Sequence, residues 1–220
     1  MFNEVSLKPD EKKESLDDCH YIIQSADGYR FGADAVGLSK FALKYVRDGM
    51  TVFDLCSGCG IIGILIGIQK RCTVFGAEID AQLHDMSVRS CALNGLENVV
   101  FYNADIRKRC DLIRPSSCDM VVCNPPFYKS GSVARKAAPA ANSELTVTFD
   151  DIAETAAALL RVGGALMLVH TASRLDEILY KCTANGLIPK QLKINRNGKT
   201  FMLRAVRGGK QGLTVEIGDW

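Results

Sequence analysis

Apolar residues along the chain gather into short runs separated by stretches with helical spacing. Short apolar runs bounded by turn formers read as strands buried on both faces, and the intervening stretches read as helices that cover them. On this pattern strands are predicted over 52–55, 73–77, 99–102, 118–123, 165–169, 188–194 and 200–206. Helices are predicted over 37–47, from Ile61 onward, and over 81–94, 150–161 and 174–185. The punctuation agrees: Gly95, Gly163-Gly164 and Gly186 stand where helices must stop, and Ser173 is placed to cap the last helix. The turn Asn195-Arg196-Asn197-Gly198 joins the final two strands. This alternation predicts an α/β fold on a mostly parallel seven-stranded sheet with helices on both faces. Residues 1–18 are expected to form a partly ordered arm, and residues 19–220 a single domain without internal repeats.

Four of these strands end in polar residues suited to chemistry. Asp54 is followed by Leu55-Cys56-Ser57-Gly58-Cys59-Gly60, a small-residue turn leading into a helix. Glycines there let the backbone turn sharply and let a ligand approach the main chain. Glu78 ends the next strand about twenty residues past that turn, where a ribose-binding acid sits in nucleotide-binding βαβ units. Asn103-Ala104-Asp105 closes the third strand, and Asn124-Pro125-Pro126-Phe127 closes the fourth. Two prolines continue neither strand nor helix, so the chain leaves the strand end in a fixed, extended form. That presents an amide, a free carbonyl and an aromatic face, a set that suits a planar group bearing –NH2. Taken alone, the tetrapeptide also reads as a proline turn with a buried Phe, and each acid as a cap or turn residue. Together they line one edge of a parallel sheet, where open α/β sheets bind ligands.

In this order the motifs resemble those of class I S-adenosylmethionine-dependent methyltransferases. The stretch from Asp54 to Gly60 resembles their first motif. Asn124 to Phe127 resembles the fourth motif of members that methylate planar amino or amide nitrogens. Tyr29-Arg30-Phe31-Gly32-Ala33-Asp34-Ala35-Val36-Gly37-Leu38 is similar to a segment of bacterial valine-tRNA adenine-N6 methyltransferases. Gly198-Lys199-Thr200-Phe201-Met202-Leu203 through Gly208-Gly209-Lys210 is similar to the ending of their Gram-positive relatives. The resemblance covers about residues 20 to 215.

The resemblance implies a Rossmann-like class I fold, S-adenosylmethionine as cofactor, and methyl transfer to an exocyclic amino nitrogen. Adenine N6 in the anticodon loop of tRNA(Val) is the first target it implies. Asp54 with the Gly58 and Gly60 backbone would hold the methionine part, and Glu78 the ribose hydroxyls. Ile79 would pack on the adenine, Asp105 beside Ala104 would accept from its amino group, and Arg30 and Asp34 would lie near the cofactor's exposed end. The Asn124 side chain and the Pro125 carbonyl would accept from the target amine, Pro126 would hold the turn, and Phe127 would stack on the extruded base. One departure bears on the target. Relatives in this subfamily carry Arg-His-Glu in the loop that follows, where this chain has Asn142-Ser143-Glu144. Guanine N2 in ribosomal RNA and a glutamine amide in a protein are alternative targets. The glutamine enzymes usually carry an N-terminal helical domain, which is not expected here. A cofactor- or RNA-binding protein with little activity is the alternative of another class, against which the intact Asn124 and acids argue.

Composition narrows the setting. At 220 residues and 47% apolar content the chain suits one globular domain. No stretch is long and apolar enough to span a bilayer, and the first eighteen residues hold charges in place of an apolar signal core. The nine cysteines, an odd count, point to reduced thiols and the cytoplasm. Cys56 and Cys59 have ligand spacing but no second pair and no nearby His, so they are expected to fill small positions in the turn without a metal. His20, His84 and His170 are scattered, and His170 reads as structural.

The net charge of +2 hides an asymmetry. No acid stands between Glu177 and Glu216, a stretch with eight Lys and Arg residues, and Lys129, Arg135 and Lys136 follow Phe127. A solvated face and a phosphate-binding face both fit. The basic loop adjoins the proposed base pocket, which favours RNA contact by Lys129, Arg135, Lys136, Lys193, Arg196 and Lys199. A monomer is the expected state.

Overall fold

The computed structural model describes residues 5–28, 30–108, 114–125 and 147–220. Along these the chain forms β1 (Glu11–Ser15), β2 (Tyr21–Ser25), α1 (Ala33–Leu43), β3 (Thr51–Leu55), α2 (Ile61–Gln69), β4 (Thr73–Glu78), α3 (Ala81–Leu93) and β5 (Val99–Asn103). It continues with β6 (Cys118–Cys123), α4 (Phe149–Leu159), β7 (Leu160–Thr171), α5 (Leu175–Ala184), β8 (Leu187–Ile194), β9 (Thr200–Arg207) and β10 (Thr214–Ile217). Among the described residues the main sheet runs β10-β8-β9-β7-β6-β3-β4-β5, parallel throughout except for β9.

Continuous apolar runs arise because both faces of this sheet are covered. Val52, Val74, Met120, Val122 and Met167 pack against α1, α2 and α3. Their neighbours Phe53, Val121, Cys123, Leu166 and Leu168 pack against α4 and α5. The chain winds outward from β3 through β4 to β5, then returns to place β6 on the other side of β3. That reversal opens a crevice beyond the carboxyl ends of β3 and β6, where ligands of open α/β sheets bind. Because β8 and β10 run parallel to each other and β9 opposes β7 and β8, the turn 195–198 and residues 218–220 reach the same edge.

Four elements differ from expectation. Among the described residues the sheet has eight strands: β10 is added, and all four of its residues are exposed, so no apolar run announces it. Helix α1 begins at Ala33, after Gly32, and Gly37 lies inside it. Helix α4 ends at Leu159, and Gly163-Gly164 fall within β7, close to where its pairing with β6 shifts register. Ser173 lies in a single 3-10 turn, Ala172–Arg174, and α5 starts from Arg174 without a side-chain cap.

Part of the segment expected to be an arm forms β1, paired antiparallel with β2. This hairpin is bolted to α3. The Tyr21 N–H donates to Asn94 Oδ1 at 2.9 Å and the Ile23 N–H to Ser90 Oγ at 2.9 Å. Arg89 bridges Glu11 at 2.5 Å and Asp85 at 2.7 Å, which holds the Glu11 carboxyl below its usual range.

The eight described cysteines are unbridged. Cys59, Cys72 and Cys91 are buried on the α1–α3 side of the sheet, and Cys118, Cys123 and Cys182 on the α4–α5 side. Cys19 is exposed and Cys56 half-buried; Cys110 lies outside the described residues.

Candidate active site

Asp54 is fully buried, with Oδ2 accepting from the Gly63 N–H in α2 at 3.0 Å. The turn after β3 is left-handed at Cys56 (φ +56°), Gly58 (φ +56°) and Gly60 (φ +85°). At Gly60 only a glycine fits, since a Cβ would stand 2.7 Å from the Phe101 ring in addition to the strain of positive φ. Glu78, at the end of the neighbouring strand, clasps this turn. Its Oε2 accepts from the Gly58 N–H at 2.8 Å and its Oε1 from the Asp80 N–H at 2.9 Å. Each oxygen keeps room for a further hydrogen bond. The Asn103 side chain ties the end of β5 to this corner through the Glu78 carbonyl at 2.9 Å and the Ile79 carbonyl at 3.1 Å.

The cradle is short of positive charge. Burial pushes the Asp54 carboxyl up to about 8, and the nearby Glu78 charge adds to the rise. Burial likewise raises Glu78, against the hydrogen bonds from the Asp80 and Gly58 N–H groups. Among the described residues no cation pairs with either acid. Buried Asp54 Oδ1 and Ser57 Oγ have no hydrogen-bond partner there. Buried acceptors left open cost stability unless a ligand or water meets them. Beside them Ile79 leaves 48% of its surface exposed. A cationic ligand with N–H groups, hydroxyls and a flat apolar ring fits this set, and S-adenosylmethionine has each of these parts.

Asn124 stands one strand over. Asp54 lies opposite Val122 and Leu55 opposite Cys123, so Asn124 emerges at the crevice just beyond the end of β6. Its Oδ1 is buried and has no partner among the described residues. Pro125, next to it, is buried. Pro126, Phe127, Lys129, Arg135, Lys136 and the 142–144 stretch lie outside the described residues.

Most of the remaining expected residues have partners of their own. Arg107 grips both Asp105 oxygens, the shortest contact being 2.6 Å, and holds that carboxyl below its usual range. The Ala104 N–H donates to the Glu78 carbonyl at 3.0 Å. Arg30 pairs with Glu14 at 3.2 Å, and Asp34 accepts from the Trp220 indole at 2.8 Å. Lys193 donates to the Asp219 carbonyl at 2.5 Å and Arg196 pairs with the Asp219 carboxylate at 3.2 Å. Lys199 is exposed in the same turn region. Sequence reasoning passed over Ser57 and Trp220. Ser57 carried a signal, a hydroxyl inside the glycine turn; Trp220 carried none, because its partners lie far back along the chain.

Comparison with known proteins agrees with this geometry. Residues 36–182 match the profile of the family described as methyltransferase small domain. An uncharacterized RNA methyltransferase of Caldanaerobacter subterraneus subsp. tengcongensis is 40% identical over 129 residues, 53% of this chain and 28% of that protein. The tRNA1(Val) (adenine(37)-N6)-methyltransferase of Porphyromonas gingivalis is 27% identical over 170 residues, 74% of this chain and 67% of that protein. The chain spans about a third of the length of the Caldanaerobacter relatives it matches. In fold it is similar to M. jannaschii TYW2 solved in complex with AdoMet, with a TM-score of 0.65 at 15% identity over 93% of this chain and 90% of that one. The chain belongs to the methyltransferase small domain family of S-adenosylmethionine-dependent methyltransferases with the class I fold.

Proposed function

We propose that this chain methylates the exocyclic amino nitrogen of adenine in tRNA, with N6 in the anticodon loop of tRNA(Val) as the target. The observation that carries the reading is the buried Asn124 Oδ1, an open acceptor at the crevice beyond β6. An aromatic amine is a poor nucleophile because its lone pair is delocalised into the ring. Hydrogen bonds from its two N–H groups to Asn124 Oδ1 and the Pro125 carbonyl favour a pyramidal nitrogen with its lone pair aimed outward. Such acceptors stabilise the transition state by being in place beforehand. Pro126 would keep that carbonyl directed and Phe127 would stack on the base, worth roughly 1–3 kcal/mol.

S-adenosylmethionine, when bound, supplies a methyl group on a positively charged sulfur. Asp54, Ser57 and the Gly58–Gly60 backbone would hold its methionine part, Glu78 its ribose, and Ile79, Ala104 and Asp105 its adenine. Lys129, Arg135, Lys136, Lys193, Arg196 and Lys199 would contact RNA phosphates. The names of the Porphyromonas relative and of two Shewanella relatives, tRNA1(Val) (adenine(37)-N6)-methyltransferase, support the target. Residues 19–220 would act as one catalytic domain, in the cytoplasm.

Single-turnover methylation of tRNA, ribosomal RNA and protein fractions tests the reading. Asn124→Ala is expected to lower the rate on tRNA by about 10²-fold or more, with fold and S-adenosylhomocysteine affinity kept. A folded Asn124→Ala chain working at the wild-type rate would remove Asn124 from the chemistry. Label entering only ribosomal RNA or protein would keep the chemistry and discard the tRNA target.

A further inference from the structure

The segment from β10 to Trp220 makes contacts that the methyl transfer proposed above does not use. β10 runs parallel to β8, so it delivers residues 218–220 to the edge where β3 and β6 end. There Lys193 and Arg196 hold Asp219, and the Lys193 ammonium lies 5.6 Å from the centre of the Trp220 ring. Thus tethered, Trp220 lies across the first turns of α1. Its indole N–H donates to Asp34 Oδ1 at 2.8 Å. Its ring rests on Gly37, where a Cβ would stand 2.3 Å from Trp220 Cδ1 and 2.8 Å from Met202 Cε. A glycine inside a helix costs roughly 1 kcal/mol relative to alanine, and close approach of this ring is what it permits. Helix α1 leads back to the start of β3, so its first turn lies at the crevice edge, and α1 packs on α2, whose own first turn follows Gly60.

We propose that Trp220 is a positioning residue: by gripping Asp34 and lying on Gly37 it fixes the first turn of α1 at the mouth of the cofactor cleft, and thereby sets how tightly the cofactor is held. Asp34 acts on the cofactor through Trp220 and does not touch it. This rests on the cofactor assignment above.

Trp220 is the single tryptophan of the chain, so its fluorescence reports on this contact directly. Asp34→Ala and Gly37→Ala are expected to shift the emission to the red while far-ultraviolet circular dichroism stays unchanged. Gly37→Ala raises helix propensity, so a displaced indole there cannot be ascribed to a weakened helix. By calorimetry, S-adenosylhomocysteine should bind about tenfold more weakly to Asp34→Ala and to Trp220→Phe. The double variant should lose no more than either single one, because both changes break one contact. Additive losses would mean that Asp34 touches the cofactor itself and would overturn the proposal. So would wild-type affinity in Trp220→Phe, or unshifted emission in Asp34→Ala. A wild-type chain that binds no S-adenosylhomocysteine would instead refute the cofactor assignment, and the coupling with it. Failure of the coupling alone shows as normal wild-type affinity that the variants leave unchanged.

Discussion

Asp54 bears the cost of its burial in a way that pH reveals. Its carboxyl titrates from an ordinary value of 3.8 in the unfolded chain and at about 8 in the folded one. Between those values the folded chain keeps a proton that the unfolded chain has lost. Stability therefore falls as pH rises through this window and levels off above it. Asp54→Asn removes the titrating group. Denaturant unfolding should find the stability gain of this variant over wild type clearly larger at pH 8 than at pH 5. An equal gain at both pH values would remove Asp54 from the account. The same variant should bind S-adenosylhomocysteine poorly, as expected where a binding site holds a residue that stability alone would discard. Glu78 is a different case, since it braces the turn through Gly58 and Asp80 while keeping free lone pairs. Glu78→Ala should weaken S-adenosylhomocysteine by roughly 1.5–3 kcal/mol in a calorimetric titration. Unchanged affinity there would leave Glu78 a purely structural brace.

At the scale of elements, the β1–β2 hairpin depends on α3 for its place. Arg89 reaches Glu11, whose side chain is 1% exposed, so Arg89→Ala would leave a buried carboxylate without its guanidinium. Amide hydrogen exchange of Tyr21–Ser25 should then quicken by about tenfold or more, with β3 and β6 unchanged, because elements held by few contacts open independently. Uniform quickening across the chain would show instead that the hairpin and sheet open as one unit.

These elements also show what the sequence made legible. The seven expected strands stood out because helices on both sides demand unbroken apolar runs. β10 did not, since it is four residues long and all four are exposed at the edge of the sheet. Gly37 read as a helix boundary until the ring it accommodates was known, and Gly163-Gly164 read as a helix stop when they belong to an irregular strand pairing. Asp54, Glu78 and Asn124 were visible because turn chemistry marks the ends of buried strands. The Asp34–Trp220 contact was not, because it joins residues 186 positions apart and no local pattern encodes such a pairing.

For the whole molecule, the reversal at β3 collects Asp54, Glu78, Asn124 and the basic turn 195–198 on one edge. RNA affinity at that edge should fall steeply with salt, and neutralising Lys193 and Arg196 together should flatten the slope when measured at saturating cofactor. Equal slopes in wild type and double variant would make both residues bystanders. The distribution of thiols has a consequence of another kind. Burial pushes Cys59 and Cys91 on one face of the sheet, and Cys118 and Cys182 on the other, up to about 12. In the native chain at pH 8 these sulfurs are protonated and shielded, so an alkylating reagent should reach them only when their layer opens. Cys19 should react at once. Timed alkylation read by mass spectrometry should therefore yield two independent opening rates from the unmodified protein, one clocking the release of α1–α3 and the other that of α4–α5.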